Sequence, residues 1–116
     1  MPAPSPLAIA TSSVERLLKE EKSYHQELAQ QEAQVKALED KIKARGAASE
    51  DGNDEFMLKQ QQTAVEQTRA VFAPLRERIA TAVTKLEEQI ATSEESNTNA
   101  ADLETAKAVL ARARAA

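Results

Sequence analysis

Residues 12–45 read SSVERLLKEEKSYHQELAQQEAQVKALEDKIKAR, and their apolar side chains recur with the seven-residue period of a coiled-coil helix. With Val14 at heptad position a, most a and d positions are apolar. They hold Val14, Leu17, Tyr24, Leu28, Val35, Leu38 and Ile42, together with the polar Glu21, Gln31 and Arg45. Such a narrow apolar stripe predicts one long α-helix that packs against other helices.

Capping residues predict where this helix begins and ends. Ser12 and Glu15 have the spacing of a capping box, in which each side chain accepts a hydrogen bond from the other residue's backbone N–H. Gly46 is typical of the position just after a helix, where glycine adopts the left-handed conformation at low cost. We therefore predict a helix over about residues 13–45, after a disordered, proline-rich tail at residues 1–11.

A second helix is predicted over about residues 54–92, after a polar turn at residues 46–53. Its apolar stripe also has a heptad period, with Gln61 and Thr68 as polar members. The stripe comprises Leu58, Val65, Phe72, Leu75, Ile79, Ala82, Leu86 and Ile90. Pro74 interrupts the pattern, but the stripe resumes in phase beyond it, so we predict one bent helix rather than two.

A third, alanine-rich helix is predicted over residues 100–114, with Asn99 as its capping residue. One face of this helix carries its larger apolar side chains. They are Leu103, Ala106, Val109 and Leu110.

The short connection between the two long helices predicts that they pack antiparallel. A fold about residue 50 places Val14 opposite Leu86 and Val35 opposite Val65. It also places Gln31 opposite Thr68, a polar layer of the kind that fixes the register of a coiled coil. The third helix then returns along the groove between the first two. The predicted fold is all-α: an elongated three-helix bundle, with a long antiparallel coiled-coil hairpin and a shorter third helix, in a single domain over residues 12–116.

Composition excludes several classes of function. The 116 residues contain no cysteine and one histidine, so most nucleophilic and zinc sites are ruled out, and neither a catalytic residue nor a cofactor is expected. The net charge of −4, with basic residues scattered among acidic ones, argues against nucleic-acid binding. No stretch is long and apolar enough to span a membrane. The stretch EDGND at residues 50–54 is rich in acidic side chains, but it lacks the spacing and terminal glutamate of a calcium loop.

The order of several motifs resembles that of the tubulin-binding cofactor A family over about residues 12–112. The motifs are V-x-R-L-x-K-E-x-x-x-Y-x-x-E at 14–27, Q-Q-E at 30–32, K-Q at 59–60, Q-T-R at 67–69 ahead of a mid-helix proline, and A-K-A-V-L at 106–110. The resemblance implies a cytoplasmic, microtubule cytoskeleton-associated chaperone that is not an enzyme. Such a protein binds quasi-native β-tubulin after its release from the chaperonin. It passes β-tubulin on for assembly of the α/β heterodimer, and so acts indirectly with other tubulin-folding cofactors.

Candidate contacts with β-tubulin lie on both long helices. They are Arg16, Lys19, Glu20, Tyr24, Glu27, Gln31, Lys59, Gln60, Arg69 and Arg76. The cations among them are expected to make charge-assisted contacts. Tyr24 is either an interface anchor or, from its d position, a residue of the helix–helix seam with its hydroxyl at the rim.

Two alternatives stay open on the sequence alone. A generic coiled-coil adaptor, such as a spectrin-like or syntaxin-like module that binds another helical protein, fits the same periodicity. The sequence also leaves monomer and homodimer open, because an apolar seam serves either state.

Overall fold

A computed structural model describes residues 3–46, 52–96 and 100–116, which form three α-helices and no strand. The helices are α1 (Pro6–Arg45), α2 (Asn53–Ser96) and α3 (Ala100–Ala115). The all-α, three-helix prediction is confirmed. Every a and d position predicted for α1, and every residue of the predicted α2 stripe, is buried or half-buried.

The first helix begins earlier than predicted. The hydroxyl of Ser5 accepts a hydrogen bond from the backbone N–H of Ala8 (3.1 Å), which caps the helix, and Pro6 occupies the first helical position. Proline suits this position because its fixed φ is helical and the N–H that it lacks has no partner there. The prediction of a disordered tail is therefore wrong for residues 6–11, where Leu7 is only 1% exposed.

The predicted capping box at Ser12 and Glu15 is also wrong, because both residues lie inside α1. Because α1 begins at Pro6, the heptad pattern includes one further heptad before Val14. Leu7 takes the a position one heptad before Val14, and Ala10 takes the d position. Both residues belong to the packed interior.

The other helix boundaries differ little from the prediction. Gly46 follows the end of α1 with a φ of 62°, as the prediction of a left-handed residue there required. Gly52 has a φ of 65° directly before α2, and its carbonyl accepts the backbone N–H of Phe56. Helix α2 continues through Pro74, as predicted, and α3 ends one residue later than predicted. The predicted cap at Asn99 lies outside the described residues.

The chain packs as two compact units, Met1–Glu21 with Ala73–Ala116 (unit 1) and Lys22–Phe72 (unit 2). Unit 1 contains the start of α1, the end of α2 and all of α3. Its core is a cluster of seven buried residues from all three helices. They are Leu7, Val14, Leu86, Ile90, Ala106, Val109 and Leu110. The predicted neighbours Val14 and Leu86 are both 0% exposed in this cluster, and the predicted apolar face of α3 is the face that packs.

Unit 2 is held together by contacts between the remaining parts of α1 and α2. The hydroxyl of Thr68 donates a hydrogen bond to Oε1 of Gln31 (2.7 Å), so the predicted polar layer is present. The ring of Phe72 meets Tyr24 edge-on at 6.4 Å and stacks on His25 at 4.5 Å. These contacts confirm the antiparallel pairing within this unit. Whether the two units form the single domain predicted over residues 12–116 stays a prediction.

Within the described residues, no helix has a segment long and apolar enough to cross a membrane.

Candidate functional site

An open groove runs between α1 and α2 within unit 1, with a volume of about 910 Å³. Its floor includes Ala10, Leu17 and Ala82, and its edges carry Ile9 and Lys85. All of the lining residues belong to α1 and α2. We call this feature the unit 1 groove.

The heptad positions explain why this side of the helix pair is open. In an antiparallel pair, residues at position e of both helices share one flank and residues at position g share the other. In α2, Leu86 holds an a position. Leu18 and Val83 stand at position e, and they pack against the core cluster that includes the face of α3. The unit 1 groove lies along the g flank instead.

The α1 surface beside this groove carries an exposed apolar residue at the groove edge and two cations further along the helix, outside the groove lining. Ile9 is 55% exposed although it is a large aliphatic residue. Arg16 is seven residues further along, on the same side of the helix, and Lys19 is one turn beyond Arg16. Both cations are exposed, and neither forms an ion pair within the described parts of the chain. They are therefore free to contact a partner.

Arg76, also in unit 1, forms an ion pair within the chain. Its Nε lies 3.3 Å from Oε2 of Glu21, in an ion-pair contact that does not have the geometry of a hydrogen bond. The Glu21 side chain is only 7% exposed, so Arg76 compensates a buried carboxylate. Glu20 is paired too, with Arg78 at 3.7 Å.

The remaining candidate contacts belong to unit 2, and several of them are engaged there. Arg69 donates a hydrogen bond to Oε2 of Glu32 (2.9 Å). Gln31 bonds Thr68, and its amide nitrogen donates to Oε1 of Glu27 at 3.4 Å. Tyr24 is half-buried against Phe72, as a residue of the helix–helix seam would be.

Lys59 and Gln60 are exposed on α2 and lie beside a large apolar residue that sequence reasoning missed. They line a shallow depression with Phe56 and Thr63. Phe56 is 61% exposed and the neighbouring Met57 is 41% exposed. The signal for Phe56, and likewise for Ile9, was present in the sequence, because each is a large apolar residue outside the a and d positions.

Arg16, Lys19, Glu20 and Arg76 lie in unit 1, and the other six candidates lie in unit 2. Among the residues that the structure describes, no group of three or more histidine, cysteine, aspartate and glutamate side chains has a geometry that could hold a metal ion. Asp54, from the acidic turn, is instead 9% exposed and paired with Arg45.

Comparison with known proteins identifies the family. The family model described as tubulin binding cofactor A matches residues 2–110. The crystal structure of tubulin folding cofactor A from Arabidopsis thaliana superposes with a TM-score of 0.74 and 26% sequence identity, covering 95% of this chain and 94% of that chain. No curated protein gives a significant match to the sequence. The chain belongs to the tubulin binding cofactor A family, a family of chaperone-type proteins and not of enzymes.

Proposed function

We propose that the protein binds quasi-native β-tubulin after its release from the cytosolic chaperonin. It holds β-tubulin as a reservoir and passes it on, through the other tubulin-folding cofactors, for assembly of the α/β-tubulin heterodimer. Family membership supports tubulin as the partner, and the cytoplasm is the compartment in which this task takes place. Association with the microtubule cytoskeleton follows through tubulin.

The observation that carries the proposal is an exposed surface of α1 that begins with Ile9 at the edge of the unit 1 groove and continues to the cations Arg16 and Lys19. Arg16 and Lys19 have no ion pair among the described residues, and Ile9 is exposed about two turns before Arg16 on the same helix. Since an exposed aliphatic side chain followed along one helix by unpaired cations is an arrangement suited to a protein interface, we assign this surface of α1 as the first contact with β-tubulin. Arg69 and Arg76 take a smaller part, because binding β-tubulin would require them to leave Glu32 and Glu21.

The remaining candidate contacts form a second, weaker set. Lys59 and Gln60 are exposed beside Phe56, and we assign them a separate, weaker contact with β-tubulin. Gln31 and Tyr24 act by holding α1 against α2, since both are used within unit 2. Glu20 and Glu27 act through their bonds to Arg78 and Gln31.

The test is complex formation between the purified protein and chaperonin-released β-tubulin on a native gel. The wild-type protein is expected to give a discrete band that contains both proteins. The double variant Arg16→Glu/Lys19→Glu is expected to weaken this complex at least about tenfold, because it places two anions where β-tubulin is contacted. Circular dichroism checks that the variant remains helical.

A matched control uses two other exposed lysines, Lys36 and Lys43 of unit 2, which have no ion pair within the described residues. Lys36→Glu/Lys43→Glu makes the same change in net charge and is expected to leave the complex intact. If both double variants weaken binding equally, net charge and not this surface of α1 decides affinity. If the wild-type protein forms no complex, a coiled-coil adaptor for a helical protein becomes the better interpretation. Sedimentation of the free protein tests whether it forms a homodimer. The a and d positions already pack within the single chain, so they do not supply a free apolar seam for a second copy.

A further inference from the structure

Unit 2 has a second open groove, on the e flank of its two helices. The groove has a volume of about 540 Å³. Its floor includes Val35 and Val65, and its sides carry Glu39 of α1 and Glu66 of α2. Val65 is 6% exposed and Val35 is half-buried, so the apolar floor is narrow. We call this feature the e-flank groove.

In unit 1 the corresponding flank is covered by α3, which shows the kind of segment that fits there. Helix α3 places apolar side chains inward, with Ala106 at 0%, Val109 at 2% and Leu110 at 8% exposure. The cations of α3 then reach glutamates on the two long helices. These contacts are Lys107 to Glu94 at 3.1 Å, Arg112 to Glu15 at 4.0 Å and Arg114 to Glu87 at 2.7 Å.

The charges around the e-flank groove match those that α3 contacts in part: Glu66 occupies an equivalent heptad position, whereas Glu39 stands at position e, which is apolar at Leu18 and Val83 in unit 1. Glu66 stands at heptad position b, one residue after the a position Val65, just as Glu15 follows Val14 and Glu87 follows Leu86. Glu39 and Glu66 are exposed, and neither forms an ion pair within the described part of the chain. The other glutamate of the groove, Glu32, is neutralised by Arg69 at 2.9 Å. Two negative charges therefore remain beside an apolar floor.

We propose that the e-flank groove binds a basic amphipathic helix of a partner protein, in the manner in which α3 is held in unit 1. The helix carries alanine- or valine-sized side chains at i, i+3, i+4 and i+7, which enter the floor over Val35 and Val65. Its lysine and arginine side chains lie on both sides of that stripe and pair with Glu39 and Glu66. The proposal does not depend on β-tubulin being the partner.

The test uses the full-length protein and a synthetic helical peptide with the length of α3, 16 residues, as the probe. The peptide carries an alanine and valine stripe flanked by lysine and arginine. A peptide of the same composition in scrambled order serves as its control. Fluorescence anisotropy is expected to show binding of the amphipathic peptide at least about tenfold tighter than that of the scrambled one, since only the former presents its stripe and cations together. Amide NMR shifts are expected at Val35 and Val65.

Two double variants separate the groove from bulk charge. Glu39→Lys/Glu66→Lys is expected to weaken binding at least about tenfold, because both rim charges become repulsive. Glu77→Lys/Glu88→Lys changes two exposed glutamates on α2 in unit 1 and is expected to alter binding less than about twofold. Both variants raise the formal net charge from −4 to zero. Glu39→Gln/Glu66→Gln repeats the test without adding cations, in case the first variant does not fold.

Three outcomes would overturn the proposal. Equal binding of the scrambled peptide would show non-specific attraction, as would equal loss in the two lysine variants. Shifts confined to Val109 and its neighbours would show that the peptide replaces α3 in unit 1. Because the probe contains no tubulin, failure here leaves the proposed function untouched, and failure to bind β-tubulin leaves this proposal untouched.

Discussion

The polar layer between Gln31 and Thr68 gives a quantitative prediction about unit 2. The Thr68 side chain is 7% exposed, and its hydroxyl donates to Oε1 of Gln31 at 2.7 Å. Thr68→Val keeps the shape of the side chain but leaves this oxygen without its donor. A net hydrogen bond contributes about 1 kcal/mol, and the half-buried Gln31 regains some water, so a loss of about 1 kcal/mol in the free energy of unfolding is expected.

The double variant distinguishes the hydrogen bond from the two side chains that make it. Gln31→Leu alone leaves the Thr68 hydroxyl to bond a backbone carbonyl of its own helix, so its cost is small. Gln31→Leu with Thr68→Val forms an apolar layer in which no polar atom has lost a partner. We expect this protein to be more stable than Thr68→Val alone, with a coupling of about 1 kcal/mol between the two sites. The apolar layer is also expected to permit slippage of the register or self-association.

Urea unfolding followed by circular dichroism measures these free energies, and sedimentation velocity detects self-association. Glu27→Ala serves as the control, because it removes the longer, exposed bond from Gln31 at 3.4 Å and is expected to cost less than about 0.5 kcal/mol. The reasoning is refuted if the costs of the two single variants add without coupling. In that case the 2.7 Å contact contributes nothing to stability, and the apolar residues around it alone set the register.

Three further substitutions test the start of α1 and the buried carboxylate. Leu7→Ala is expected to lower the free energy of unfolding by about 2–4 kcal/mol in thermal or urea unfolding, because the side chain is 1% exposed; no change would return residues 6–11 to a disordered tail. Ser5→Ala removes the cap of α1 and is expected to lower the free energy of unfolding by about 1 kcal/mol in the same measurement. An unaltered stability would mean that the first turn of α1 is frayed, so that the cap contributes nothing. Arg76→Ala leaves the 7%-exposed Glu21 side chain without its cation and is expected to lower the free energy of unfolding by about 1–2 kcal/mol. The control Arg114→Ala removes an exposed ion pair and is expected to cost less than about 0.5 kcal/mol. Equal losses in the two variants would contradict this account.

The packing of the helices could be predicted from the sequence because burial follows the heptad period. From residue 22 to residue 45, the half-buried and buried residues of α1 are the predicted a and d positions and no others. The start of the helix could not be predicted as easily. Pro2, Pro4 and Pro6 suggest a broken chain, yet a proline in the first helical position costs little when a serine precedes it. The Ser5–Pro6 pair was the signal.

The candidate site was predicted less well, because a sequence does not show which charges are paired across helices. Arg16 and Arg76 are equivalent cations in the sequence, but Arg76 neutralises Glu21 whereas Arg16 has no ion pair in the described residues. The pairing depends on register and side-chain direction, which heptad letters give only approximately. Exposed apolar residues are easier to predict than ion pairs, since Ile9 and Phe56 fall outside the periodic stripe of buried positions.

The unequal interiors of the two units lead to a prediction about local stability. In unit 1 seven buried apolar residues from three helices form one cluster. In unit 2 the most deeply buried apolar side chains among the described residues are Leu38 at 9% and Val65 at 6% exposure, and the polar Thr68 layer interrupts the seam. Because buried apolar area supplies most of the stabilisation, unit 2 has less free energy to oppose opening.

Native-state amide hydrogen exchange measures this difference residue by residue. We expect the helical amides of residues 24–44 and 56–70 to exchange at least about tenfold faster than those of residues 10–20 and 76–90, which corresponds to an opening free energy lower by about 1.4 kcal/mol. Leu86→Ala lies in the unit 1 cluster and is expected to accelerate exchange there, which reduces the difference in exchange rate between the two units. If all four segments instead exchange at one rate that matches global unfolding, the helices open as one cooperative body. The single domain predicted from the sequence would then be the correct description, despite the division in packing.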